Sequence, residues 1–124
     1  MRSFAHACLV AAAATAMISI AGARATELKL TIGTEGAYPP FNSVAADGSL
    51  VGFDIDIARA LCVEMKADCT FVTQDWQGII PALQAGRFDA IIASMAVTDQ
   101  RKGKVDFTHI YYRATPAIVV PKDS

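Results

Sequence analysis

The residues best suited to chemistry cluster in the stretch Phe88 to Arg101, FDAIIASMAVTDQR. Ser94, Ala96 and Thr98 alternate with Met95 and Val97, so backbone N–H groups and short side chains line the chain, and a ligand could lie directly on it. Thr98 and Asp99 are helix N-cap types, which places the Arg101 guanidinium in the first turn of a helix whose amino end also attracts anions. Small donors beside one arginine make a carboxylate trap, because a guanidinium grips a carboxylate through a planar fork that a lysine's point charge does not reproduce. Two other loops carry complementary groups: Glu35 and Tyr38 in the Gly/Pro stretch TEGAYPPF, and Trp76 after Asp75. An acid, two aromatic rings and an arginine describe a slot for a ligand with a carboxylate at one end and a cation at the other. Taken singly, each has a plainer reading, with Arg101 and Glu35 as solvated charges and Trp76 as core packing.

The elements that must position these groups follow from the patterning. Leu28 to Ile32 alternates as a first strand and ends at Gly33, so the Glu35 to Phe41 loop hangs from its carboxyl end, the edge where open α/β sheets bind ligands. Asp47-Gly48 turns a hairpin between Phe41–Val44 and Leu50–Phe53. Asp54 caps a helix running to about Lys66, with Ile55, Ala58, Leu61, Cys62 and Met65 on one face and Asp56 complementing the helix dipole. Cys69 to Thr73 is the second strand. Trp76, Ile79, Ile80 and Leu83 mark the next helix, which closes at Gly86 and becomes regular only from about Gly78, because Pro81 belongs in a first turn. Ala90 to Ala93 reads as a strand buried on both faces. A short helix from Asp99 to about Lys104 follows, then the aromatic pair Tyr111-Tyr112 and a last strand from Thr115 to Val120. Alternating strands and helices in this order describe a doubly wound α/β sheet.

The amino terminus differs from the rest. Arg2, a nearly uncharged run from Ser3 to Gly22, and Ala23-Arg24-Ala25 form a cleavable secretory signal, residues 1 to 25, cut after Ala25. Cleavage removes Arg2 and Arg24 and takes the formal charge from −1 to −3. Without basic runs, nothing points to nucleic acid. Residues 26 to 124 suffice for one compact unit. Export would leave Cys62 and Cys69 in an oxidising compartment, where a disulfide is the favoured reading. Neither His6 nor His109 adjoins the pair, so no metal site is implied, and no cofactor either.

The runs TIGTEGAYPPF, LVGFDIDIARALC, WQGIIPALQAGRFDAIIASM and TDQRKGKVDFT resemble the first lobe of the periplasmic solute-binding proteins for polar amino acids, family 3. That group holds the histidine-binding and lysine/arginine/ornithine-binding proteins and their opine-binding relatives, and the resemblance covers residues 28 to 124. It implies one doubly wound lobe of the type II periplasmic-binding-protein fold, with the second lobe absent. It also implies a monomer in the periplasm that hands an amino acid or opine to the membrane permease of an ABC importer. Within it, Arg101 matches the arginine that holds the ligand's α-carboxylate, and Ser94 a residue whose backbone helps hold the ammonium. Glu35 falls where members for cationic ligands carry an acid, and Tyr38 and Trp76 where rings sandwich the side chain. Cys62 and Cys69 match a disulfide of the histidine-binding subgroup.

Ala96 departs from the usual serine or threonine, leaving only its backbone N–H, which suits a ligand with a substituted amine such as an opine. Ala93 likewise replaces a frequent serine. The alternative function is an enzyme resembling the periplasmic cyclohexadienyl dehydratases, for which only Glu35 or His109 could donate a proton. With the second lobe absent, solvent-exposed contacts should hold a ligand only at millimolar concentrations or worse.

Overall fold

The computed structural model describes residues 27–123; the secretory signal expected over residues 1 to 25 lies outside them. Strand β1 (Leu28–Thr34) forms the middle of a three-stranded parallel sheet. On one side it pairs along its whole length with β5 (Ala67–Thr73), from Leu28↔Ala67 to Thr34↔Thr73. On the other side it meets the two-residue β6 (Ala90–Ile91) through Ile32↔Ala90 and Gly33↔Ile91. A separate antiparallel sheet of β2 (Ala37–Tyr38), β3 (Asn42–Val44) and β4 (Leu50–Val51) contains the expected hairpin and adds Tyr38 to it. Asp47 secures the turn, its Oδ1 accepting from the Ser49 amide at 2.9 Å and the Ser49 hydroxyl at 2.7 Å.

Helix α1 (Phe53–Glu64) buries Ile55, Ala58 and Cys62, whereas Leu61 and Met65, expected on the same face, stay nearly half exposed. A single 3-10 turn (Trp76–Gly78) leads into α2 (Ile79–Gln84), so regular helix begins where Pro81 allows it. The core under α2 consists of Ile79, Ala82, Phe88 and Ala93, flanked by Trp76, Ile80, Leu83, Ile91 and Met95. Gly33 makes this packing possible: a Cβ there would fall 2.7 Å from the Phe88 ring. The Asp89 carboxylate accepts from the Thr31 amide at 2.7 Å and so fixes the start of β6 against β1.

Three expectations change. Asp54 is not the cap of α1. The helix starts two residues earlier than an Asp54 cap would place it, with Gly52 at the N-cap and no side-chain cap. Its first amides are satisfied instead by the first loop, Phe53 N–H donating to the Pro40 carbonyl and Asp54 N–H to the Phe41 carbonyl at 3.1 and 2.8 Å. Only glycine permits that approach, since residue 52 has φ 120° and its Cβ would lie 2.4 Å from the Phe41 oxygen. The strand expected over Ala90 to Ala93 pairs for two residues only, and Ala90 to Ile92 are half-buried, because no strand lies beyond β6 among the described residues. Thr115 to Val120 forms no strand; Ile118 and Val119 are 92% and 93% exposed. Strand-forming composition needs a partner edge to satisfy its backbone, and among the described residues this segment joins neither sheet.

Cys62 and Cys69 are bonded, joining the end of α1 to β5 across a separation of 7 residues. Closing so short a loop should stabilise the lobe by roughly 2 to 3 kcal/mol on the chain-entropy account. Exported protein is expected to show no free thiol after denaturation, and reductant should lower its urea midpoint. Two free thiols, or an unchanged midpoint, would contradict this.

Candidate functional site

Three loops follow the carboxyl ends of three neighbouring parallel strands: Glu35 after β1, Asp75-Trp76 after β5, and Ser94 onward after β6. The sheet topology therefore collects the chemistry at one edge, as the sequence order implies. In the third loop, helix α3 (Asp99–Lys102) is capped by Thr98, whose Oγ1 accepts from the Arg101 amide at 3.3 Å. The Arg101 guanidinium is held on two sides. Its Nη1 donates to the Ala96 carbonyl at 2.8 Å, and its Cζ lies 5.2 Å from the centre of the Trp76 ring. Among the described residues no acid pairs with it, so the rest of the fork has donors to offer an anion. Trp76, Ile79, Ile80, Met95, Gln100 and Arg101 border a hollow of about 310 Å³.

Ser94 turns the chain out of β6 with φ 48°, a left-handed conformation uncommon outside glycine. Its amide donates to the Tyr111 hydroxyl and its Oγ donates to Asp54 Oδ1, both at 2.9 Å; the Tyr111 hydroxyl in turn donates to the same Asp54 oxygen at 2.9 Å. The other Asp54 oxygen accepts from Asn42 Nδ2 at 2.8 Å, and Asn42 Oδ1 accepts from the Gly36 amide at 2.8 Å. Asp54 and Asn42 are fully buried. One carboxylate thus ties the residue after Glu35 to Ser94, 40 positions away from Asp54. Burial of the phenol and its hydrogen bond to Asp54 push the Tyr111 pKa up to about 12, although the residue as a whole is 40% exposed.

Tyr38 stacks on Phe41 with ring centres 5.2 Å apart, and Phe41 packs on Tyr112 at 5.2 Å. Phe53 bridges to Tyr111 at 6.3 Å and Tyr112 at 5.6 Å. Tyr38 and Trp76 therefore rest on different supports, one on an aromatic cluster and the other on Arg101. Glu35 is partly buried and makes no side-chain hydrogen bond or ion pair among the described residues. Sequence reasoning missed Asp54, Asn42 and Tyr111 as site residues; no local spacing signals contacts made over separations of 12 to 57 residues.

Residues 30–124 match the bacterial extracellular solute-binding proteins, family 3. Over 99 residues the chain is 52% identical to the L-arginine-binding protein of Pseudomonas aeruginosa, covering 80% of this chain and 38% of that protein. Over 110 residues it is 44% identical to the octopine-binding periplasmic protein of Rhizobium meliloti, covering 88% and 37%. The chain thus spans less than two fifths of the length of these relatives. Among solved structures, the arginine-bound form of domain 1 from TmArgBP aligns with a TM-score of 0.65 and 33% identity, over 68% of this chain and 67% of that one.

Proposed function

This chain belongs to the bacterial extracellular solute-binding proteins, family 3, and from that membership we propose that it is the first lobe of a periplasmic receptor for arginine or an opine, serving the permease of an ABC importer. The observation that carries the reading is the Arg101 guanidinium, held between the Trp76 ring and the Ala96 carbonyl with donors to spare at the ligand edge of the sheet. It takes the ligand's carboxylate. Ser94 serves the amino end, Glu35 the distal cation, and Tyr38 and Trp76 flank the side chain. The match to arginine- and octopine-binding relatives supports a cationic amino acid or its N-substituted derivative. Ala96 offers no hydroxyl, which leaves room beside a substituted amine.

Binding is favoured over dehydratase chemistry. That reaction needs a proton donor against the leaving group, and of the two groups considered, His109 sits exposed in the segment after α3. The named curated relatives are likewise binding proteins.

The arginine-bound domain 1 of the structural neighbour supports a lobe that holds ligand unaided, against the millimolar binding expected from exposed contacts alone. Trp76 is the sole tryptophan and touches Arg101, so its fluorescence reports on the site directly. Titration of residues 26–124 with arginine, lysine, ornithine, histidine, glutamine and octopine should give saturable quenching or enhancement for arginine or octopine below about 1 mM, an affinity of roughly 4 kcal/mol or better. A flat response to all six overturns the assignment. Glu35→Gln is expected to weaken arginine about tenfold while leaving glutamine within about twofold, since a charge-assisted hydrogen bond is lost only for the cation. Equal losses for both would remove Glu35 from the site.

A further inference from the structure

The ligand-facing residue Ser94 is held by a group that the binding reading leaves unused. The Ser94 amide and hydroxyl, the Tyr111 hydroxyl and Asp54 Oδ1 form a closed set of three hydrogen bonds, each 2.9 Å long. Ser94 needs such support because its φ of 48° is unfavourable for a residue with a Cβ, and such conformations persist only where the surroundings over-determine them. Asp54 secures the Ser94 side chain, and Tyr111 secures the Ser94 amide. Tyr111 belongs to the segment after α3, not to the loops that bear the other ligand groups, and its ring is stacked on Phe53.

We propose that the Tyr111 hydroxyl is the positioning group for the amino end of the ligand, locking the Ser94 backbone so that its carbonyl faces the ligand's ammonium. The proposal rests on the assignment of Ser94 to Arg101 as the segment that grips the amino-acid end. Rotation of the peptide before Ser94 would redirect the chain leading on to Ala96 and Arg101, so the hydroxyl, together with Asp54, fixes the spacing between the ammonium and carboxylate contacts. A phenol is protonated throughout the physiological range, so the Tyr111 hydroxyl, whose pKa is raised further still, remains able to donate to Asp54 there.

Tyr111→Phe keeps the ring on Phe53 and removes only the hydroxyl. The test compares calorimetric affinities for arginine and for 5-guanidinopentanoate, which has the same carboxylate and guanidinium but no α-amino group. Unaltered protein should prefer arginine. In Tyr111→Phe that preference should shrink about tenfold, with 5-guanidinopentanoate bound within about twofold of its original affinity. A purely structural tyrosine would weaken both ligands alike or neither, and either result overturns the proposal. Failure of the unaltered protein to bind arginine overturns this inference, and failure to bind octopine as well overturns the functional assignment itself. Should Tyr111→Phe not fold, amide exchange in the unaltered protein decides the matter. Strong protection of the Ser94 amide, at a partly exposed position outside the sheet ladder, supports the lock, and exchange at the rate of a free amide refutes it.

Discussion

Arg101→Ala is expected to abolish binding of every amino-acid ligand while leaving the lobe folded. The guanidinium contributes little to the fold: one hydrogen bond to the Ala96 carbonyl and a cation–π contact with Trp76, the latter worth about 0.5 to 1 kcal/mol at a partly exposed position. The helix turn that carries it is held by the Thr98 cap, which the substitution leaves intact. For the ligand the loss is far larger, because its α-carboxylate would lose the guanidinium fork proposed to pair it. Truncating one member of such a pair costs about 2 to 5 kcal/mol, or on the order of 30- to 5000-fold in affinity. Arg101→Lys should fare little better, since an ammonium neither forks onto a carboxylate nor stacks on the indole in the same way. Calorimetry, preferable here to Trp76 fluorescence because the substitution itself alters the tryptophan's surroundings, should show no heat of binding for arginine or octopine. An affinity in Arg101→Lys within about threefold of the original would dismiss the fork as the recognition element.

What could be read in advance about this site was what is local in the chain. Thr98, Asp99 and Arg101 lie within one turn, so cap and guanidinium follow from adjacent residue types, and the structure has both. Strand β1 and the Asp47-Gly48 hairpin also follow from alternation and turn chemistry. Asp54 illustrates the limit. An aspartate at the start of an amphipathic run is what a helix cap looks like, yet the amides it would have capped are taken by carbonyls of Pro40 and Phe41, and the true boundary is Gly52. The carboxylate so released is buried among partners from three other segments. Composition at the end of the chain misleads in the opposite sense: Thr115 to Val120 has the β-branched residues of a strand, but pairing is a property of two segments, and no partner edge is adjacent among the described residues.

The largest stability effect should come from Asp54→Ala. Its carboxylate is fully buried and accepts from Asn42 Nδ2, Ser94 Oγ and the Tyr111 hydroxyl, so the substitution strands three donors at once. Asn42 is itself inaccessible to water, whereas Ser94 and Tyr111 are partly exposed and can be rehydrated. With a buried unsatisfied group costing about 1 to 3 kcal/mol and a cavity added, a loss of roughly 3 to 5 kcal/mol is expected. That is a large share of the roughly 5 to 15 kcal/mol that holds a typical domain together. Asp54→Asn should be milder, at about half the loss, because the amide oxygen still accepts from Asn42 while the two hydroxyls must find new arrangements around its NH2 group. The Tyr111 phenol supplies an independent readout. Its pKa in the folded protein, about 12, lies above the ordinary value near 10, so its contribution to stability is fully present below about pH 10 and is lost as pH rises towards 12. Removing Asp54 takes away one cause of that elevation, and the tyrosinate absorbance near 295 nm should then rise at lower pH than in the unaltered lobe. A urea midpoint unchanged by Asp54→Ala, or a Tyr111 titration that stays near 12, would mean that the carboxylate does not hold these loops together.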